Sequence, residues 1–127
     1  MRGFRNSWES LKAMRRLGIE GEETAVRFLK KKGYRIVSRN FKSPVGEMDI
    51  IAEDGDTLVF VEVKTRTDDS FGHPFEAVTH RKQEKLRKVA LSYLKHSRRD
   101  MPSRFDVLSI ETKGDSYTIE HIKDAFE

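Results

Sequence analysis

Apolar residues recur along this chain with two different spacings, and the changes of spacing divide it into elements. Leu11, Met14, Ala25, Val26 and Leu29 fall three and four residues apart, which predicts a helix from roughly Ser7 to Lys32. Lys30 to Lys32 lie in its last turn and Gly33 ends it, while Gly18 and Gly21 weaken its middle enough to suggest two helices with a bend. Beyond Gly33 the pattern becomes β-like, with a strand from Tyr34 to about Asn40 and a loop over Lys42–Gly46. Two β-rich runs follow, Glu47–Ala52 and Thr57–Arg66, joined through Glu53-Asp-Gly-Asp56 as a hairpin. Thr67 to Pro74 reads as a loop. A second helix starts at Phe75 or Thr79 and runs to His96, with Leu86, Val89, Ala90, Tyr93 and Leu94 as its buried stripe. Strands over Ser103–Glu111 and Ser116–Ile122 complete an order α-β-β-β-α-β-β. That order predicts an α/β fold, an α/β/α sandwich with helices on both sides of a mixed central sheet.

Composition sharpens this picture in three ways. A chain of 127 residues suits one domain over residues 1–127, with 1–17 as an N-terminal helical extension. There is no cysteine, which excludes disulfides and thiolate metal sites and fits a reducing compartment. No apolar run is long enough to span a bilayer, and the basic stretch Met1–Arg16 is too broken by charge for a signal peptide, so a cytoplasmic protein without a membrane partner is expected. The net charge of +4 weakly favours polyanionic partners. Its clearest concentration lies between Arg81 and Arg99, where Arg81, Lys82, Lys85, Arg87 and Lys88 spread around the helix. Such a face is usually just solvated, although one side is a candidate track for a nucleic-acid backbone.

The charged residues inside the hairpin carry the chemistry. Leu58-Val-Phe-Val-Glu-Val-Lys64 has the composition of a central strand, yet Glu62 and Lys64 point to one face while Val59, Val61 and Val63 fill the other. The preceding strand holds Asp49. If paired residues sum to 109, Asp49 is diagonal to Glu62 on the same face. A loop from Asp54 to Thr57 instead sets the two directly opposite, and a three-residue loop separates them to opposite faces. Two close carboxylates repel one another, and Mg²⁺ or Mn²⁺ relieves that conflict. A bound metal lowers the pKa of water and stabilises charge on a phosphoryl oxygen, and a neighbouring lysine can orient the attacking water. An isolated E-x-K on a strand is, by contrast, most often a cross-strand ion pair. Glu22 lies on the apolar stripe of the first helix. It reads either as a further metal ligand or as a carboxylate at the edge of the stripe near a helix start.

Gly46-Glu-Met-Asp49 followed by Phe60-Val-Glu-Val-Lys-Thr-Arg66 resembles the PD-(D/E)xK nuclease superfamily, and more closely the uncharacterised YraN-like family of predicted endonucleases within it. The resemblance runs from about Gly18 to Asp106 and includes Gly18-Ile-Glu-Gly-Glu22, Gly33-Tyr34, Arg39-Asn40, Phe71-Gly72, Lys82 and Arg104-Phe-Asp106. It implies a restriction-endonuclease-like fold and roles by position. Asp49 matches the metal-binding acid, Glu62 the second acid and Lys64 the catalytic lysine. Glu22 is similar to the first-helix acid of archaeal junction resolvases, and Lys82 and Gln83 fall where related nucleases carry another site residue. Arg87 stands where a RecB-like subset has tyrosine, and Met48 stands before Asp49 where the motif name has proline.

Outside this set the readings are plainer. Arg66 shares the face of Lys64 and either holds a phosphate or is a strand-end charge. His73 sits on a loop, His80, His96 and His121 show no ligand spacing, and Asn40 and Asp106 fit turn-capping or strand-bracing roles. Trp8 and Phe4 suit the core or a dimer contact. The expectation is a Mg²⁺- or Mn²⁺-dependent phosphodiesterase acting on DNA, with RNA and a homodimer also open. The alternatives are a nucleic-acid-binding module that does not cleave and an adaptor domain whose charges form an ion-pair network.

Overall fold

The structure, a computed structural model, describes residues 20–67 and 78–127. The start of the first helix, Trp8 and Phe4, and most of the Thr67–Pro74 loop with His73 lie outside the described residues. Within them the order is α1 (20–31), β1 (Arg35–Ser43), β2 (Gly46–Asp54), β3 (Thr57–Thr67), α2 (His80–Ser97), β4 (Ser103–Lys113) and β5 (Ser116–Phe126). The strands form one five-stranded sheet in the order β1-β2-β3-β4-β5. β3 and β4 are parallel and every other neighbouring pair is antiparallel, so the sheet is mixed as expected. The parallel pair needs a crossover, and α2 lies within it.

Each helix covers one sheet face. Ala25, Val26 and Leu29 of α1 pack on Ile50, Ala52, Val59, Val61, Leu108 and Ile110. Leu86, Val89, Ala90 and Tyr93 of α2 pack on Met48, Ile51, Leu58, Phe60, Val107 and Phe126. β3 therefore alternates between two buried surfaces, and the outward continuation of its α2 side is Glu62 and Lys64.

Local chemistry explains the element ends. α1 stops in a Schellman arrangement: Tyr34 N donates to Leu29 O at 3.0 Å and Gly33 N to Lys30 O at 3.0 Å, with Gly33 at φ 93°. Gly21 lies in the first described turn of α1, and the expected bend near Gly18 falls outside the described residues. A Cβ on Gly21 would lie 2.1 Å from Thr65 Cγ2, so the absent side chain is what lets α1 approach β3. Thr79 caps α2 by accepting from Lys82 N at 3.2 Å, which selects the later of the two expected starts.

The strands run longer than the sequence suggests. Lys42 and Ser43, expected in a loop, belong to β1, and the turn is confined to Pro44 and Val45. β5 continues four residues past Ile122 because Asp124 turns into the left-handed region (φ 50°) and donates its amide to buried Asp106 at 3.0 Å. Phe126 then stacks on Phe105 at 4.7 Å. Asp106 braces strands as expected, since Arg104 (2.9 Å) and His121 (2.7 Å) also hold it. Burial opposes its ionisation, but His121, Arg104 and the Asp124 amide outweigh that and keep the carboxyl below its usual range. Among the described residues no helix is long and apolar enough to cross a membrane.

Candidate functional site

The hairpin settles which pairing holds. Asp54 pairs Thr57, Ile51 pairs Phe60 and Ile50 pairs Val61, so partners sum to 111 and the next position sets Asp49 opposite Glu62. The connection is the two residues Gly55 and Asp56, with Gly55 at φ 61° where a tight hairpin needs it. Pairing that sums to 109 would need the turn at Asp54-Gly55. Asp54 is instead paired with Thr57, which excludes that turn.

At Asp49 the strand departs from strict alternation. Ile50 and Ala52 belong to the α1 side, as the pleat requires, yet Met48 packs with Ile51 on the α2 side. Asn40 interrupts β1 at the same level. Arg39 pairs Ile50 and Phe41 pairs Met48, which brackets Asn40 against Asp49, and Asn40 takes φ 53°. The distortion lets the Asp49 carboxylate replace a ladder acceptor, for Val63 N donates to Asp49 Oδ2 at 2.8 Å.

Glu62 is buried at 6% exposure, which for an acid calls for compensating charge. Two lysines supply it: Lys82 Nζ lies 3.1 Å and Lys64 Nζ 3.5 Å from Glu62 Oε2. The Asp49 and Glu62 carboxyls are within hydrogen-bonding reach of each other. Burial and the Glu62 charge push Asp49 up to about 7, partly offset by the Val63 amide and Lys82. The two carboxyls open onto a cavity of about 300 Å³ walled by Gly46, Glu47, Asp49, Glu62, Lys82, Lys85 and Leu86. Gly46 takes φ 147°, a conformation side chains rarely adopt, and packs closely on this wall, since a Cβ would lie 3.1 Å from Val89 Cγ2 and 3.3 Å from Lys85 Cε.

Of the expected site residues, the structure brings together Asp49, Glu62, Lys64 and Lys82. Glu22 is held elsewhere. Its Oε1 accepts from Asn40 Nδ2 at 2.9 Å and from Arg39 at 3.0 Å, both on β1. Gln83 turns its amide back to Val78 O at 3.2 Å. Arg66 lies half-buried on the Glu62 face, two positions past Lys64. Among the described residues no group of three acids or histidines is gathered to hold a metal. Sequence reasoning did not single out Gly46, Glu47 or Lys85 as site residues. The packing demand at Gly46 has no signature in a loop of this composition.

These features define an α/β domain with a lysine-flanked acid pair at the open end of a β-hairpin. The chain belongs to uncharacterised protein family UPF0102, whose sequence pattern matches residues 21–110. It is 48% identical to a UPF0102 protein of Thermodesulfovibrio yellowstonii over 110 residues, covering 87% of this chain and 95% of that one. A UPF0102 protein of Syntrophomonas wolfei is 50% identical over 113 residues, with 88% and 98% covered. One from Geotalea uraniireducens is 51% identical, with 87% and 89% covered.

Proposed function

We propose that this protein is a metal-dependent nuclease of the PD-(D/E)xK class, with the restriction-endonuclease-like form of the α/β fold, that hydrolyses phosphodiester bonds in DNA. The observation that carries this reading is the Asp49–Glu62 pair with Lys64 on the same face. The donor set suits Mg²⁺ or Mn²⁺. Such ions accept one or two carboxylates and keep several waters, and two carboxylates on an open cavity provide that combination. Burial and the neighbouring Glu62 charge oppose ionisation of Asp49, and a divalent charge at the pair would offset both.

Asp49 and Glu62 would hold the ion, which when bound supplies electrophilic stabilisation of the phosphoryl oxygen and a more acidic water. Lys64 lies beside Glu62 and can fix the attacking water by donating to it. The water oxygen bonds to phosphorus, the bond to the leaving deoxyribose oxygen breaks, and the water's protons end on the leaving oxygen and the buffer. Lys82 neutralises Glu62 in the absence of metal, so a cation arriving there competes with an ammonium. That same ion pair favours a second reading, a nucleic-acid-binding domain that does not cleave.

Incubating linear, single-stranded, flapped and four-way DNA with Mn²⁺ tests the proposal, comparing wild type with Lys64→Ala. The expected result is cleavage of at least one form, slowed about 100-fold or more in the variant. Equal rates in both proteins would reject it. Binding without cleavage on every substrate would establish the second reading.

A further inference from the structure

α2 carries six Lys or Arg residues, Arg81, Lys82, Lys85, Arg87, Lys88 and Lys95, against a single acid, Glu84. The sequence alone suggests that this charge is spread around the helix. The contacts sort it. Lys82 turns inward to Glu62 at 3.1 Å, and Arg87 turns to the other flank, to Glu84 at 2.7 Å and the carbonyl of Glu127. The remaining four, Arg81, Lys85, Lys88 and Lys95, are separated by steps of four, three and seven residues. Those steps keep them on one side of an α-helix, with Ser92 completing the row. All four are exposed, and none has an ion-pair partner among the described residues.

The row is anchored at the acid pair, because Lys85 forms part of the cavity wall that Asp49 and Glu62 share. From Arg81 to Lys95 it extends about 21 Å along the helix axis, a length matching about six nucleotides of one strand of a duplex. Among the described residues, Glu84 is held by Arg87 and Glu53 by Arg35 and Arg99, while Glu47 stands with Asp49 and Glu62 on the cavity wall.

We infer that the Arg81–Lys85–Lys88–Lys95 row is the docking surface for the phosphate backbone of a nucleic-acid strand, which it leads away from the Asp49–Glu62 cavity. This deepens the nuclease reading by naming the surface that holds the substrate, and it rests on that reading for the class of partner. A regular line of flexible cations at one edge of a helix recognises evenly spaced phosphates without reading bases. It thus predicts binding that is strongly salt-dependent and weakly sequence-dependent.

The test is fluorescence anisotropy in EDTA, where cleavage cannot intervene, using a short labelled DNA duplex, its single strand and the equivalent RNA over a range of KCl. Lys88→Gln, Lys95→Gln and the triple variant Arg81→Gln/Lys88→Gln/Lys95→Gln leave the cavity wall untouched. Lys30→Gln/Lys31→Gln, exposed on α1 across the sheet, is the control. For the triple variant the slope of log affinity against log salt should flatten by about two to three and affinity at low salt should fall at least about tenfold. Each single variant should contribute about a third of that, and the control should match wild type. The inference is overturned if the triple variant keeps the wild-type slope, if the control loses as much, or if wild type binds none of the three probes at low salt. Salt-sensitive binding through the row without cleavage in Mn²⁺ would uphold this surface while rejecting the nuclease. Cleavage with an unchanged slope would do the reverse.

Discussion

Lys82 on α2 sets its ammonium 3.1 Å from Glu62 Oε2 on β3, closer than Lys64 from Glu62's own strand at 3.5 Å. The buried acid is thus balanced by a residue twenty positions away in sequence and on another element. Removing that lysine leaves Glu62 with a single, looser partner.

Lys82→Met should lower stability by about 1–2 kcal/mol, less than for a fully buried pair because Lys82 is partly exposed. It should also enlarge the rise in melting temperature produced by MnCl2, because the cation no longer displaces an ammonium. Thermal unfolding with and without Mn²⁺ measures both effects. A metal-induced shift no larger than that of wild type would mean that the ion does not use Glu62.

Asp49 gives the stability curve a particular sign. Its carboxyl is raised to about 7 in the folded protein, so folding favours the protonated form. That favours the folded state below the unfolded value near 4 and turns into a growing penalty as pH rises towards 7. Asp49→Asn resembles the protonated acid and can still accept from the Val63 amide. In EDTA it should melt at least about 3 °C above wild type at pH 8, with the difference vanishing near pH 4. Parallel melting curves at all pH values would show that Asp49 ionises normally.

Glu22 separates two roles by its amide variant. Gln keeps the oxygen that Asn40 and Arg39 grip, whereas Ala removes it. If Glu22 acts by holding β1 in place beside Asp49, Glu22→Ala should speed hydrogen exchange at the Val63 amide, which Asp49 accepts, and Glu22→Gln should not. A metal ligand would behave differently, because both variants would weaken Mn²⁺ binding alike by about tenfold or more. Calorimetry and exchange together distinguish the two.

Gly21→Ala should destabilise by about 1–3 kcal/mol, since the new methyl must displace Thr65 Cγ2 from 2.1 Å. Thr65→Ser deletes that methyl and leaves Thr65 Cβ at 3.5 Å as the nearest atom, so the double variant should recover most of the loss. Additive losses in the double-mutant cycle would show that the cost of the new methyl does not come from its contact with Thr65.

Much of this was legible in the sequence because it is local. Period-two alternation places Glu62 and Lys64 on one face and Val59, Val61 and Val63 on the other, but what stands opposite Asp49 stays open among three hairpin pairings until the Asp54–Thr57 pair is seen. The α2 stripe and the Gly33 stop follow from helical spacing in the same way. What was hidden depends on distant contacts. Gly21 reads as a helix breaker until Thr65 is known to lie over it. The row on α2 becomes visible once Lys82 and Arg87 are assigned to Glu62 and Glu84. His121 has no ligand spacing. It is nonetheless fixed between Asp106 Oδ2 at 2.7 Å and Lys32 Nζ at 2.8 Å, an environment assembled from β4, β5 and the end of α1. Met48 breaks alternation for a reason that lies partly in β1, where Asn40 adopts a left-handed turn.

The hairpin that joins the two acids closes through two residues, whereas the β3–β4 pairing encloses the whole of α2. Short loops close before long ones, so Asp49 and Glu62 meet in the folding chain before Lys82 is docked to separate their charges. The native contact order thus builds an electrostatic barrier into the route to the native state. Stopped-flow refolding should accelerate as pH falls from 8 to 6, and the acceleration should disappear in Asp49→Asn.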